Sequence, residues 1–402
     1  MKLITGFALI AALLTHHLSL NAGAFNDSSA GGGLSLGLIA NHGEGSGYST
    51  RRGSDGFLYL RRQDDSRLLN SAASVIGPDA NGGAVVVLRV GTGAAQHDYS
   101  LKADATSRLT WIQCAPCVPH APQSGPIFDP KASPTSRLVV GTNPICSQGQ
   151  YAGVATVSRA PASLAMQLAK HGMARFSYCL APASTGTGRG RRQGFLRFGT
   201  DVPRNDTGYQ TTSILPPAAV LGDDPAAYYV DLVGVSLSAK RLEGIRPEMF
   251  ARRRDGEGGG CVIDLGTRVT KMAEEAYRVV EEAVWSELQP AMRVERHGYG
   301  LCVRVTEQIK GRLQSMPISL HFAAAEKEQA EATLVVSPAQ LYLMVDDDRQ
   351  AGQQIACLAM VPGRRTIIGA LQQVDTRFIF DLEGAKLSFA PESCIEDTVQ
   401  VD

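Results

Sequence analysis

The chain has 402 residues, 44% of them hydrophobic and 19% charged, the balance of a folded globular protein and not of a disordered one. Lys plus Arg and Asp plus Glu number 39 each, so no basic field recruits nucleic acid or an anionic membrane. That length exceeds one ordinary core, and two lobes are expected.

Residues 1–24 read as a secretory signal. Lys2 supplies the positive end, Leu3 to Leu14 is an apolar stretch too short to span a bilayer, and Ala22-Gly23-Ala24 is a small-residue cleavage site. Residues 25–78, rich in Gly, Ser, Asp and Arg without sustained periodicity, read as a linker or pro-segment lacking regular structure. Export favours disulfides among the eight cysteines. It also makes Asn26 and Asn205, both in Asn-x-Ser/Thr sequons, glycosylation candidates. Cys114, Cys117 and His120 imitate half a zinc site, but no second Cys/His pair at suitable spacing completes it, so no metal is expected.

From "GGAVVVLRVGTG" onward the pattern is mostly strands: "DYSLKAD", "RLTWIQC", "RFSYCL" and "GFLRFG", with a short helix over Pro161 to Gly172. After Asn205 it begins again with "AAYYVDLVGVSLSAKRL", a helix over Ala273 to Gln289, and strands from "PISLHF" to "AKLSFAP". Each half has one strand that ends in an aspartate followed by small residues, Asp104 and Asp264, 160 residues apart. A duplicated β architecture would set these loops facing across a cleft, with lobes at 79–212 and 213–402. Two adjacent carboxyls cannot both ionise easily and share a proton, the arrangement that activates a water for peptide hydrolysis. Spacing alone is equally met by turn or capping aspartates. No serine-nucleophile elbow, metalloprotease helix or nucleotide loop competes.

The flanking residues carry more. "VGTG", "LTWIQCAPC", "FDPKASPTS", "FSYCLAP", "YYVDLVGVSL", "VIDLGTRVT" and "IIGALQQVDTRFIFDLEGAKLSFAPESC" resemble, in order, the pepsin-like aspartic proteases, in particular their plant nepenthesin-like branch. The resemblance runs from about Val85 to Cys394 and implies a mainly β, bilobal pepsin-like fold with a few short helices. It implies Asp104 and Asp264 as the catalytic pair, with Ser107, Thr267 and Gly266 in support, and disulfides Cys179–Cys394 and Cys302–Cys357. It further implies no cofactor, a monomer in the secreted or vacuolar space, and a protein or peptide substrate between the lobes. A non-catalytic binding protein of the same fold, directed at a glycanase, is the alternative.

Departures from the family pattern point to weakened or lost catalysis. The first loop reads Asp104-Ala105-Thr106-Ser107 where the family has Asp-Thr-Gly-Ser, and the second reads Asp264-Leu265-Gly266-Thr267 where it has Asp-Ser-Gly-Thr. Two inner hydroxyls are gone, at roughly 1 kcal/mol per buried bond. Thr106 stands where a glycine suits close approach or positive φ. Between Cys146 and Gly153 the family's flap hairpin is missing, so a truncated first lobe is expected. Thr156, Ser158 and Ala160 replace glycines of the following segment.

Overall fold

A computed structural model describes residues 33–41, 48–52, 58–62, 83–90, 97–115, 126–129, 131–132, 152–182, 193–203, 208–216, 224–253, 258–326, 330–347, 350 and 352–394. The signal, both sequons, Cys117, His120, Cys146 and the stretch in which a flap was sought lie outside them.

The described residues are mainly β, in one ten-stranded, two five-stranded and one four-stranded sheet. The ten-stranded sheet joins both halves of the chain. Its order is Gln210–Ser213, Lys386–Pro391, Thr376–Asp381, Arg175–Cys179, Gln193–Gly199, Gly33–Asn41, Gly83–Val90, His97–Asp104, Gly153–Thr156 and Trp111–Ile112. The seam between halves lies where Arg175–Cys179 pairs antiparallel with Thr376–Asp381. Facing aromatics meet there as cross-strand pairs. Phe176 stacks on Phe380 at 4.6 Å between ring centroids, and Tyr178 on Phe378 at 5.4 Å. Such pairs contribute about 0.5–1.5 kcal/mol each beyond their burial. Beside them the Cys179–Cys394 disulfide ties the halves together, while Cys302–Cys357 joins two facing residues of antiparallel strands within the second half.

Two expectations need revision. The segment expected to lack structure forms strand Gly33–Asn41, seated between Gln193–Gly199 and Gly83–Val90, and hairpin Tyr48–Arg52/Leu58–Arg62, which extends the sheet at Tyr342–Asp346. Leu34, Leu36 and Leu38 alternate there with Gly and Ser, a short signal set among glycines and serines, and the unpaired backbone groups of two flanking strands accept any non-proline strand between them. The boundary expected between 212 and 213 falls inside Gln210–Ser213, which pairs with the second-half strand Lys386–Pro391.

Helix Glu274–Leu288 buries Ala276, Tyr277, Val280, Val284 and Leu288, spaced three and four apart as one face requires. The first-half helix is shorter than its sequence pattern, Leu164–Ala169, because Ser163 caps it by accepting from the Met166 N–H.

Candidate active site

Both aspartates leave short strands in the same way. His97–Asp104 runs parallel to Gly153–Thr156, and Cys261–Ile263, which leads into Asp264, runs parallel to Thr366–Ile368. One detail of geometry recurs in both halves. Thr110 Oγ1 accepts the Thr156 N–H at 3.1 Å, and Thr270 Oγ1 accepts the Gly369 N–H at 3.1 Å. Thr110 and Thr270 are separated by the same 160 residues as the aspartates.

These loops bring Asp104 and Asp264 together in a buried setting, 8% and 3% exposed. Asp264 Oδ1 accepts the Gly266 N–H at 3.0 Å and, from the opposite loop, the Ala105 N–H at 3.0 Å. Its Oδ2 accepts the Thr267 hydroxyl at 2.7 Å. Asp104 Oδ1 accepts the Thr106 N–H at 2.7 Å, the Ser107 N–H, and the Thr106 hydroxyl at 3.2 Å. Asp104 Oδ2 rests against Gly266, where a Cβ would lie 2.5 Å from that oxygen. Gly266 is therefore needed for room. It is not among the positive-φ residues.

Thr106 behaves differently from its sequence reading. It too is absent from the positive-φ residues, so a β-branched side chain fits, and its hydroxyl reaches Asp104. Ser107, expected to orient Asp104 through its hydroxyl, does so through its N–H. Its carbonyl accepts the hydroxyls of Thr156 at 2.9 Å and Ser158 at 2.6 Å. In the second half the corresponding carbonyl, Thr267, takes the Ala370 N–H at 2.7 Å instead. There Gly369 lies so close to Val269 that a Cβ would approach its carbonyl carbon to 2.6 Å. Side-chain hydroxyls thus bridge in the first half what a glycine brings into direct backbone contact in the second.

At each replaced position one backbone group keeps a partner from another part of the chain. Ala105 and Leu265 are fully buried in the main core, the Ala105 N–H reaches Asp264, and the Leu265 carbonyl accepts the Ala84 N–H at 3.2 Å. Burying a leucine side chain contributes about 1.5–3 kcal/mol, comparable to the lost bonds.

Burial above all, and then the facing Asp104 carboxyl, push the Asp264 carboxyl above its usual range; the three donors oppose this. Behind Asp264, Gln373 Nε2 donates to the carbonyls of Asp264 at 3.0 Å and Ile368 at 2.8 Å, while its Oε1 accepts the Tyr178 hydroxyl at 2.5 Å. Sequence reading missed Gln373, Tyr178 and the service of Thr106. The paired amides of "ALQQVD" inside an apolar run were the available signal, since buried amides must find partners. Among the described residues no group of three or more His, Cys, Asp or Glu converges as for a metal, and no helix is long and apolar enough to cross a membrane.

Comparisons with known proteins agree with this fold. A family model described as "Xylanase inhibitor N-terminal" matches residues 86–152, and "Xylanase inhibitor C-terminal" matches 227–391. The chain is 24% identical over 392 residues to aspartic proteinase nepenthesin-1 of Nepenthes gracilis, covering 83% of this chain and 84% of that protein. It is 24% identical over 375 residues to aspartyl protease family protein 2 of Arabidopsis thaliana, covering 80% and 74%. In fold it is similar to edgp, with a TM-score of 0.57 at 14% identity over 91% of this chain and 96% of that one. Basic 7S globulin from soybean gives 0.54 at 16% identity, covering 90% and 98%. With its two aspartate loops meeting as described, the chain belongs to the pepsin-like family, in the plant nepenthesin-like branch.

Proposed function

We propose that the protein is an aspartic endopeptidase acting at acid pH, with Asp104 and Asp264 as its acid/base pair and a rate lowered by its altered loops. The single observation that carries this reading is the reciprocal contact of the two loops: Ala105 N–H on Asp264, and Asp104 Oδ2 against Gly266. It supports a shared proton, because two carboxyls this close and this buried cannot both ionise easily. The ionised member takes a proton from water as the water oxygen bonds to the scissile carbonyl carbon. The protonated member gives its proton to the carbonyl oxygen. The first member then gives its proton to the amide nitrogen while a hydroxyl of the tetrahedral intermediate returns its proton to the second, so that the C–N bond breaks and the pair again shares one proton. The substrate is an extended protein or peptide chain lying between the lobes, and the setting is the secreted or vacuolar space.

A second reading is a binding protein of the same fold without turnover, directed at a glycanase. It is favoured by the two family descriptions, both of xylanase inhibitors. One experiment separates them. The full chain is incubated with a denatured protein between about pH 2.5 and pH 5, with Asp264→Asn as control. Acid-dependent cleavage abolished by that substitution supports the endopeptidase. A cooperatively folded protein that never cleaves sinks it and leaves binding.

A further inference from the structure

We propose that Tyr178 and Tyr228 are a crossed pair of positioning residues, each carrying its hydroxyl from one half of the chain to the group that backs the other half's aspartate, and so fixing how closely the two carboxyls approach. The inference rests on the endopeptidase reading for its catalytic meaning, though its first readout does not need turnover.

The two contacts are reciprocal. Tyr178, on the first-half strand Arg175–Cys179, donates to Gln373 Oε1 at 2.5 Å, and Gln373 Nε2 donates to the Asp264 carbonyl at 3.0 Å. Tyr228, from the second half, donates to the Val157 carbonyl at 2.7 Å, and the Val157 N–H donates to the Asp104 carbonyl at 2.9 Å. Each aspartate has its main-chain carbonyl held by a group of its own half. That group is held in turn by a tyrosine of the opposite half. Ala105 and Leu265 cannot make a side-chain hydrogen bond between the loops, and on the carboxyl side the link is the Ala105 N–H on Asp264. The tyrosines tie the same two loops from behind.

Their hydroxyls stand on a packed base. Tyr178 and Tyr228 are both fully buried, and both rings pack on Phe380, at 5.7 Å and 4.7 Å between centroids. Phe380 in turn stacks on Phe176 across the seam between the halves, and Tyr228 lies 6.0 Å from Phe176. Neither ring can turn away without opening this cluster, so each hydroxyl has one place to donate. Burial holds both phenols above their ordinary range; the Asp264 charge adds to this at Tyr178, and Arg159 opposes it at Tyr228. Both therefore remain donors wherever the aspartates titrate.

Removing a hydroxyl while keeping its ring isolates this role. In Tyr228→Phe the Val157 carbonyl loses that donor, and in Tyr178→Phe the Gln373 amide loses the bond that fixes it. Either loss lets the backing relax and the carboxyls part. Two carboxyls farther apart repel less and titrate closer together.

The full chain is labelled with ¹³C at the aspartate carboxyls, the signals are assigned with Asp104→Asn and Asp264→Asn, and the pair is titrated in the wild type and each variant. The two apparent steps should draw together by about one pH unit, a tenfold loss of coupling, in Tyr178→Phe and in Tyr228→Phe. Leu320→Ala serves as the control. It removes buried packing from the four-stranded sheet, to which none of these groups belongs, and should lower the melting temperature with the steps left in place. Unchanged steps in the tyrosine variants overturn the proposal, as do steps that move equally in Leu320→Ala. If neither tyrosine variant folds, the wild type decides: both hydroxyl protons should exchange slowly enough with water to be seen by NMR, and rapid exchange of either overturns the proposal. Where the protein cleaves, kcat should fall about tenfold in the tyrosine variants with KM unchanged. A protein that titrates as expected and never cleaves removes the endopeptidase reading alone.

Discussion

Ala105 gives its backbone N–H to Asp264 Oδ1 at 3.0 Å, although 159 positions separate them along the chain. This bond ties the first loop to the second carboxyl and does not depend on the identity of the side chain at 105. It explains how a fully buried alanine stands where the family has a hydroxyl while the two loops still meet.

Gly266 marks the point of closest approach from the other side. In Gly266→Ala the new Cβ would lie 2.5 Å from Asp104 Oδ2, so the loops must part or Asp104 must turn. A loss of about 1–3 kcal/mol in stability is expected, together with loss of acid cleavage. Denaturant unfolding at fixed pH measures the first; a variant as stable as the wild type contradicts the contact.

Asp264 confers a defined pH dependence. Its carboxyl binds a proton more tightly folded than unfolded, because burial and then Asp104 raise its pKa. Its contribution to stability is therefore complete below the ordinary aspartate range and is lost as pH rises through the raised value. Asp264→Asn is neutral throughout. It should melt above the wild type near pH 7 and converge with it near about pH 3. Thermal melts across that range decide; a gap that widens toward acid reverses the sign.

Gln373 links three groups, of which the Ile368 carbonyl also accepts the Asp264 N–H at 3.1 Å. Gln373→Leu leaves the Asp264 and Ile368 carbonyls without this donor and the Tyr178 hydroxyl without its acceptor. All are buried, so about 2–4 kcal/mol of stability should be lost. Cleavage should fall too, because the Asp264 loop loses its backing. A variant that keeps its denaturation midpoint would show that another group satisfies these atoms.

The Cys179–Cys394 bridge closes a loop of 215 residues between the halves. On the chain-entropy account its removal by paired alanines costs about 5 kcal/mol, against about 4 for Cys302–Cys357 with its separation of 55. Comparing the two double variants by denaturant midpoint tests that order. Equal effects would locate the stabilisation elsewhere than in chain entropy.

Much of this molecule is written in local pattern. Alternation marked "RFSYCL", "PISLHF" and "TRFIFDL" as strands, and three-four spacing marked Glu274–Leu288 as a helix, because period alone reports which face is buried. Gly33–Asn41 carries only a short alternation set among glycines and serines, and what orders it is an open place in a sheet between Gln193–Gly199 and Gly83–Val90.

Sequence by itself determined the β-rich duplicated pattern, the family, and the two aspartates at their strand ends. Only tertiary structure decided how those aspartates are held. Thr106 read as an obstacle where glycine was expected, and in three dimensions it supplies the hydroxyl that Ser107 does not. Thr156 and Ser158 read as lost glycines and turn out to carry the Ser107 carbonyl. The reason is physical. Hydrogen-bond partners and the room for a Cβ are set by backbone brought together from distant parts of the chain, and no local spacing encodes that distance.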